Sequence, residues 1–373
     1  MEQVIFRPRI YKYDTFKEYA QEKKLSHSDL FIVAGEFIYD LYLAPAGISR
    51  DMVISQEKYG IGEPSDVMVE EILSDIKGKN YNRVIGVGGG AILDIAKVVA
   101  VADTAEVDPL YDNMAGLKKK AELILLPTTC GTGSEVTCIS VLNRTRIGTK
   151  MGLQTEALYA DEAIMIPELL AGLPYGAFAS SAIDALVHAT ESMLSPKTTP
   201  YTEVFAREAI KLILSGFKHV AENGQGSEKE RMEDFLIASN FAGLAFGTAG
   251  VGTVHAMAYP LGGVYHVSHG ESNYAVFTGV LRKYIELRPE GTIREVIEMI
   301  AGELGCSRDE ALTSLEELLE KIMHLKSLKD HGMTESDVSV FARSVIENQQ
   351  RLLMNSYVPV DETMVAEIYT SLL

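Results

Sequence analysis

The stretch that decides the fold is Arg83–Asp94, which reads RVIGVGGGAILD. It begins with apolar residues typical of a buried strand, passes through a glycine triplet and continues with the apolar spacing of a helix. At such a turn, backbone N–H groups approach a phosphate closely and the helix N-terminus adds partial positive charge. Glycines at a strand–helix turn serve tight backbone geometry about as often, so this segment alone leaves both interpretations open.

The same alternation of strand and helix patterns extends over about the first 175 residues. It indicates βαβ units with a parallel sheet, so we predict an α/β domain over residues 1–175. The candidate strands are Leu30–Val33, Met52–Ser55, Val84–Val87 and Leu123–Pro127, with helices over Ser65–Ile76 and Ala91–Val101.

After about Pro174 the pattern becomes helical, and strand-like runs nearly vanish. We therefore expect an all-α domain over residues 176–373, with a ligand site in the cleft between the two domains. Helix starts are marked by Ser307 with Glu310, by Thr199 before Pro200, and by Asp361.

Composition and charge exclude several classes of function. The net charge of −18 disfavours binding to nucleic acid or to an anionic membrane surface, because both require clustered cations. No apolar run approaches the ~18 residues of a spanning helix, and the N-terminus lacks the apolar core of a signal peptide. We expect a cytoplasmic protein. With only three cysteines, any metal site must use imidazole and carboxylate ligands.

A second glycine-rich segment, Leu126–Thr137, reads LPTTCGTGSEVT and also follows an apolar strand. Its hydroxyls suit a ribose or a phosphate, although they equally suit helix caps and turns. Two such loops at successive strand ends favour a dinucleotide ligand over a purely structural role.

Candidate metal ligands lie in the helical half. Asp184 and His188 stand four residues apart among apolar neighbours, so both project from one helix face. A buried carboxylate in that setting needs a charged or hydrogen-bonding partner. Three further histidines, His255, His266 and His269, lie within the glycine-rich stretch 250–270. Two of them would complete a mixed N/O set suited to Fe²⁺, Zn²⁺ or Mn²⁺, but spacing does not choose which two.

At these residues the chain resembles the iron-dependent (group III) alcohol dehydrogenase family. The motifs that carry the resemblance occur in order and cover nearly the whole length: GVGGGAILDIAK, LPTTCGTGSEVT, AIDALVHATE and VHAMAYPLGG with HVSHG. The resemblance implies a Rossmann-like parallel-sheet N-terminal domain that binds the dinucleotide. It also implies an all-α C-terminal domain that binds the metal, and assembly as a homo-oligomer.

The resemblance also implies roles for individual residues. The metal ligands would be Asp184, His188, His255 and His269, with Fe²⁺ favoured and Zn²⁺ possible. His266 would then be a pocket residue able to relay a proton. Gly89, Gly90 and Ala91 would meet the pyrophosphate, Thr128, Thr129 and Thr132 would line the nicotinamide side, and Lys150 would reach a ribose hydroxyl.

Three positions depart from the family pattern. Ala91 replaces the serine that usually ends the glycine triplet. Gly35 stands where many NAD-using members carry an aspartate, and we expect the adjacent Glu36 to supply the carboxylate and favour NAD over NADP. Tyr259 replaces a further histidine, and a phenol does not carry a proton near neutral pH as imidazole does.

Within the family the resemblance is strongest to a bacterial branch whose substrate pair is 4-hydroxybutyrate and succinic semialdehyde. A carboxylate substrate needs a cation opposite the metal, for which we name Arg351, with a plain salt bridge as the alternative. The alternatives are another metal-dependent primary alcohol or aldehyde dehydrogenase, a lyase of the dehydroquinate synthase type, and a non-catalytic nucleotide-binding or scaffolding protein.

Overall fold

The computed structural model describes residues 3–373; Met1 and Glu2 lie outside the described residues. The chain forms two compact units, one over Phe6–Leu173 and one over Pro174–Leu373, which also includes a short N-terminal segment. The assignment of dinucleotide binding to residues 1–175 and of metal binding to residues 176–373 remains a prediction.

The first unit contains a six-stranded, entirely parallel sheet in the order β1-β8-β5-β4-β2-β3. Its strands are β1 (Arg9–Lys12), β2 (Asp29–Val33), β3 (Val53–Ser55), β4 (Arg83–Gly88), β5 (Glu122–Pro127) and β8 (Glu162–Met165). A separate antiparallel hairpin is formed by β6 (Ile139–Arg144) and β7 (Thr149–Gln154). The predicted parallel α/β architecture is confirmed.

The four predicted strands all belong to this sheet, whereas β1 and β8 were not predicted. Each has only four residues, and β1 is a largely exposed edge strand, RIYK, without an apolar run. β1 therefore lacks the apolar run that indicates a strand, and the short buried run of β8 cannot be told from a helical segment by its periodicity.

Helices of the first unit are α1 (Phe16–Glu22), α2 (Glu36–Ile38), α3 (Asp66–Asp75), α4 (Gly90–Val101) and α5 (Asp108–Asp112). Ser65 caps α3 by accepting the N–H of Met68, whereas α4 begins at Gly89 without any side-chain cap. The apolar faces of α3 and α4 pack with strands of the sheet into one buried core. Since α4 has no side-chain cap, the N–H groups of Gly90 and Ala91 are left for another acceptor.

The second unit is helical and confirms the predicted all-α half. Its helices are α6 (Tyr175–Leu194), α7 (Pro200–Asn223), α8 (Met232–Ala249), α9 (Thr253–Tyr265), α10 (His269–Leu287), α11 (Thr292–Leu304), α12 (Ala311–Ile322), α13 (Glu335–Asn348), α14 (Gln350–Leu353) and α15 (Glu362–Leu372). Thr199 caps α7 and Asp361 caps α15, as their positions in the sequence predict. From Ala182 to Leu194 every residue of α6 is buried, so polar side chains in that half require partners inside the unit.

Across residues 3–373, no single helix has the length and hydrophobicity needed to cross a membrane. One bent pair, residues 227–249 followed by α9 at 105°, meets the length and composition criteria only jointly.

Candidate metal centre and cofactor loops

The buried half of α6 presents Asp184 and His188 on one face, because residues four apart on a helix are neighbours. Only 3% of Asp184 and 5% of His188 is exposed. Nδ1 of His188 lies 3.8 Å from Oδ2 of Asp184, which is too long for a hydrogen bond but suits two ligands of one ion. The predicted pairing of these side chains is therefore present in the structure.

Helices α9 and α10 bring His255 and His269 to the same place. His255 lies in the first turn of α9, and His269 is the first residue of α10. Their Nε2 atoms lie 4.0 Å and 3.7 Å from Oδ1 of Asp184. One ligand atom from each of the four side chains lies within 4.8 Å of every other. The structure thus gathers two of the three clustered histidines with the α6 pair.

His266 does not join this group. It caps the C-terminus of α9 in the left-handed conformation, with φ 57°, and its side chain is exposed. It stands three positions before His269, and Val267 and Ser268 connect the two residues. The ring centroid of Tyr259 lies 6.5 Å from that of His269.

Electrostatics favours a charged Asp184 carboxylate beside a neutral His255 imidazole. Burial would raise the pKa of Asp184, but the imidazoles of His188, His269 and His255 lower it below its ordinary value. Burial, together with the other two imidazoles, lowers the pKa of His255 well below its ordinary value. The lone pair that His255 offers to a metal ion is therefore not occupied by a proton near neutral pH.

Glu191, which sequence reasoning missed, lies directly behind His255. Its Oε2 is 2.6 Å from Nδ1 of His255, and its Oε1 accepts the N–H of Val254 at 2.6 Å. Burial raises the pKa of Glu191 to about 7, against the opposing effect of backbone N–H groups at the start of α9. A carboxylate that binds one ring nitrogen of a histidine directs the other nitrogen to a metal. The available signal was a glutamate inside the apolar run of α6, one turn after His188.

Asn273 was also missed, and it lies one turn after His269 on α10. Its Nδ2 donates to Oδ1 of Asp184 at 2.7 Å and lies 3.2 Å and 3.3 Å from Nε2 of His255 and His269. Its Oδ1 is buried and has no hydrogen-bond partner among the described residues. A buried amide oxygen without a partner is costly, so this side of the cluster is built for a further polar occupant.

These residues fit a divalent metal ion. One carboxylate and three imidazoles suit Fe²⁺ or Zn²⁺ better than Ca²⁺ or Mg²⁺, which prefer oxygen ligands. Metal–ligand bonds of about 2.0–2.2 Å allow about 4.4 Å between ligand atoms across the ion, so an ion requires only a small contraction of the cluster. Phe246 stacks on His188 with ring centroids 4.4 Å apart, which restrains that imidazole.

In the first unit, the two glycine-rich loops lie against each other. A Cβ on Gly89 would lie 3.2 Å from Cγ2 of Thr129, and one on Gly90 would lie 2.7 Å from Cγ2 of Thr132. The N–H of Thr128 donates to the carbonyl of Gly88 at 3.0 Å. The predicted cofactor residues of the two loops, together with Ala91 in the first turn of α4, therefore form one continuous surface at the carboxyl ends of β4 and β5.

A buried polar network joins α4 to the second loop. Asp94 accepts from Oγ of Ser134 at 2.7 Å and from the N–H of Val141 at 2.9 Å. Nζ of Lys97, which is fully buried, donates to Oγ of Ser134 and to the carbonyl of Ile139, each at 2.7 Å. This network holds the two loops in a defined arrangement.

Lys150, the predicted ribose partner, lies on β7, and its Nζ forms an ion pair with Glu63 at 2.7 Å. A ribose hydroxyl would have to share this ammonium group with the carboxylate.

Arg351 lies on α14, which packs on α9. Within residues 3–373 no carboxylate forms an ion pair with its exposed guanidinium, whose charge contributes to lowering the pKa of His255. The chain that follows is tied to the start of α9: Nδ2 of Asn355 donates to the carbonyl of Val251 at 3.0 Å, and Ser356 and Thr253 share a hydroxyl hydrogen bond at 2.7 Å. Arg351 is thus an available cation on the element next to the helix that carries His255.

Comparison with known proteins covers the whole chain. Two family models match, "Iron-containing alcohol dehydrogenase" over residues 9–167 and "Fe-containing alcohol dehydrogenase family, C-terminal" over residues 178–373. The 4-hydroxybutyrate dehydrogenase of Clostridium kluyveri is 47% identical over 365 residues, which are 98% of each chain.

Solved structures agree. A 1,3-propanediol oxidoreductase superposes with a TM-score of 0.85 at 25% identity, over 100% of both chains. A sulfoacetaldehyde reductase from Bifidobacterium kashiwanohense, in complex with NAD⁺, superposes with a TM-score of 0.83 at 25% identity, over 100% of this chain and 99% of that one. Since the sequence matches run through both units and include the segments that carry the four clustered ligands, this chain belongs to the iron-containing alcohol dehydrogenase family.

Proposed function

We propose that this chain interconverts 4-hydroxybutyrate and succinic semialdehyde with NAD as the hydride carrier. The observation that carries the proposal is the high identity, along almost the full length of both chains, to a 4-hydroxybutyrate dehydrogenase. The solved complex of a family member with NAD⁺ supports the choice of cofactor.

The metal centre consists of Asp184, His188, His255 and His269, which come from three helices. Fe²⁺ is the favoured ion and Zn²⁺ the alternative. When bound, the metal polarises the substrate oxygen, and the nicotinamide takes or gives the hydride. Glu191 keeps Nε2 of His255 directed into the cluster, so the imidazole does not rotate away.

The dinucleotide site occupies the residues of the first unit where the two loops meet. Gly89, Gly90 and Ala91 offer uncapped N–H groups to the pyrophosphate, because α4 starts there without a side-chain cap. Thr128, Thr129 and Thr132 line the nicotinamide side, and Lys150 serves a ribose hydroxyl. In this proposal residues 1–175 bind the dinucleotide and residues 176–373 bind the metal.

Arg351 binds the substrate carboxylate. Its guanidinium has no carboxylate partner among residues 3–373, and it lies on a segment anchored to the start of α9. A planar guanidinium binds a carboxylate through two parallel hydrogen bonds. This cation distinguishes a substrate that ends in a carboxylate from a plain primary alcohol.

His266 carries the hydroxyl proton of the alcohol to solvent. Its exposed position at the end of α9, three residues before the ligand His269, suits this role. A His266→Ala variant should lose rate in the oxidation direction and show an altered pH–rate profile, because imidazole is the side chain suited to exchange a proton near neutral pH. Unchanged pH–rate behaviour would remove the relay.

The deciding experiment compares succinic semialdehyde with butyraldehyde, which lacks the carboxylate, in NADH-coupled turnover by protein reconstituted with Fe²⁺ or Zn²⁺. We expect kcat/KM for succinic semialdehyde to exceed that for butyraldehyde by at least tenfold, equivalent to about 1.4 kcal/mol. Equal values of kcat/KM for the two aldehydes would mean that the chain is a family member with a different substrate specificity. Turnover without any net change in NADH would instead indicate a lyase. Gel filtration with light scattering tests the homo-oligomer that we expect from the family resemblance.

A further inference from the structure

The carboxyl end of β2 is where a dinucleotide-binding sheet of this type should recognise the adenosine ribose. In such sheets the pyrophosphate lies on the helix after the glycine-rich turn, and a carboxylate at a neighbouring strand accepts hydrogen bonds from the ribose hydroxyls. Here the glycine-rich turn follows β4, and β2 pairs directly with β4, with Val33 opposite Val87. The carboxylate should therefore lie near residues 34–36.

The carboxylate that follows β2 in the sequence, that of Glu36, is engaged elsewhere. Oε1 of Glu36 forms an ion pair with the guanidinium of Arg50, which also donates to the carbonyl of Val53 at 2.8 Å. This pairing weakens the case for Glu36 as the ribose carboxylate. Arg50 is in turn neutralised and is a poor partner for a phosphate.

Glu57 brings a different carboxylate to this position. It follows β3, which pairs with β2 so that Ser55 lies opposite Val33. Oε1 of Glu57 accepts the N–H of Glu36 at 2.9 Å, and Oε2 lies 2.6 Å from the point where a Cβ of residue 35 would stand. Residue 35 is glycine, so the carboxylate of Glu57 occupies the space that a side chain there would fill.

We propose that Glu57 is the residue that selects NAD over NADP. Its Oε1 is held by the backbone, while Oε2 accepts hydrogen bonds from the ribose diol. Among the described residues no cation forms an ion pair with Glu57, so its charge repels the 2′-phosphate of NADP. The inference rests on the proposed use of NAD and assigns the discrimination to one side chain that is distant in sequence from the end of β2.

The test measures Kd for NAD⁺ and for NADP⁺ by titration calorimetry, with the full chain and three variants. Glu57→Gln keeps an acceptor for the N–H of Glu36 but removes the charge. We expect its Kd for NAD⁺ to rise about tenfold, because a hydrogen bond to a charged group is replaced by a neutral one. Its Kd for NADP⁺ should fall, because the charge that repels the 2′-phosphate is gone. Glu36→Gln tests the competing carboxylate, and its Kd for NAD⁺ should change less than twofold because that carboxylate is paired with Arg50.

Gly35→Ala tests the geometry independently, because its methyl group displaces the carboxylate without removing the charge. We expect weaker NAD⁺ binding, with an unfolding midpoint close to that of the wild type, since the backbone at residue 35 is extended, with φ −163°.

A Glu57→Gln variant with the wild-type ratio of the two Kd values overturns the proposal, and so does a tenfold effect in Glu36→Gln. If the wild-type protein binds NAD⁺ and reduces succinic semialdehyde, and Glu57→Gln has the same Kd values as the wild type, only this inference fails. If wild-type protein binds no NAD⁺ or prefers NADP⁺, the proposed use of NAD fails with it.

Discussion

Glu191 contacts His255 with one carboxylate oxygen and the backbone N–H of Val254 with the other, each at 2.6 Å. The first contact determines which ring nitrogen faces the cluster, and the second fixes the start of α9 relative to α6. One buried side chain thus controls both the tautomer of a ligand and the position of the helix that carries it. Its contribution should appear in metal retention rather than in the fold.

Glu191→Gln should weaken metal binding by about 10- to 100-fold, which is the usual cost of losing such a partner. The measurement is metal content after dialysis against graded chelator, with the absorption spectrum of the Co²⁺-loaded protein as a report on ligand geometry. Glu208→Gln on the exposed side of α7 serves as the matched control. Wild-type retention and an unaltered Co²⁺ spectrum in the variant would contradict the role given to Glu191.

Arg351 should act on substrate affinity alone. In Arg351→Gln, we expect KM for succinic semialdehyde to rise about tenfold or more and the constants for butyraldehyde to stay unchanged, since only the first substrate has a carboxylate to lose. Arg343→Gln removes another exposed arginine, on α13, as a control. Equal losses on both aldehydes would mean that Arg351 supports α14 rather than the substrate.

At the scale of elements, the cofactor surface depends on how α4 is joined to the loop after β5. Lys97 and Asp94 of α4 both bond to Ser134 of that loop, which aligns the two loops. Burial lowers the pKa of Lys97, while the charge of Asp94 opposes that effect. The buried ammonium of Lys97 is tolerated because its hydrogen bonds are made. The Asp94 carboxylate without this ammonium would be an uncompensated charge, which is strongly destabilising.

Lys97→Met should therefore destabilise the first unit by about 3–5 kcal/mol, because it leaves the Asp94 carboxylate without its cation. Urea unfolding followed by circular dichroism measures the change, and NAD⁺ affinity should fall with it as the loops lose their alignment. The exposed Lys77→Met variant controls for loss of a lysine as such. If Lys97→Met retained both the midpoint and the affinity, the network would have no role in positioning the loops.

At the scale of the whole molecule, the proposed metal centre connects helices that are far apart along the chain. Asp184 and His188 come from α6, whereas the other two ligands come from α9 and α10. An ion that binds only the folded arrangement stabilises it by mass action, by about 2.7 kcal/mol at a hundredfold excess over Kd. The effect belongs to the unit that begins at Pro174.

Chelation should thus abolish turnover and lower the unfolding temperature of that unit, and added Fe²⁺ or Zn²⁺ should restore both. Differential scanning calorimetry follows the transition with and without metal. Asp184→Asn keeps the shape of the side chain but not its charge, so its transition should respond little to metal. If the wild-type protein unfolded at the same temperature in chelator and in excess metal, these residues would not hold an ion.

Much of the fold and part of the site could be predicted from local spacing. A strand followed by glycines and a helix has a single economical arrangement, so Arg83–Asp94 predicts β4 and α4 closely. Likewise, residues four apart on one helix must share a face, which brings Asp184 and His188 together before any tertiary contact is known. The exposed strand β1 has no apolar run, and the short buried run of β8 is equally compatible with a helix, so neither could be inferred in this way.

The sequence by itself determined the α/β and all-α halves, the two glycine loops and the Asp184–His188 pair, because covalent geometry sets the periods of strands and helices. Spacing did not choose among His255, His266 and His269, and the family resemblance named the first and the last. That those two meet the α6 pair in space while His266 remains outside was decided by the tertiary structure, since it depends on where α9 ends and α10 begins. The positions of Glu191 behind His255 and of Glu57 over Gly35 were decided in the same way. Both are contacts between elements that packing and strand pairing bring together, and no local period in the chain encodes them.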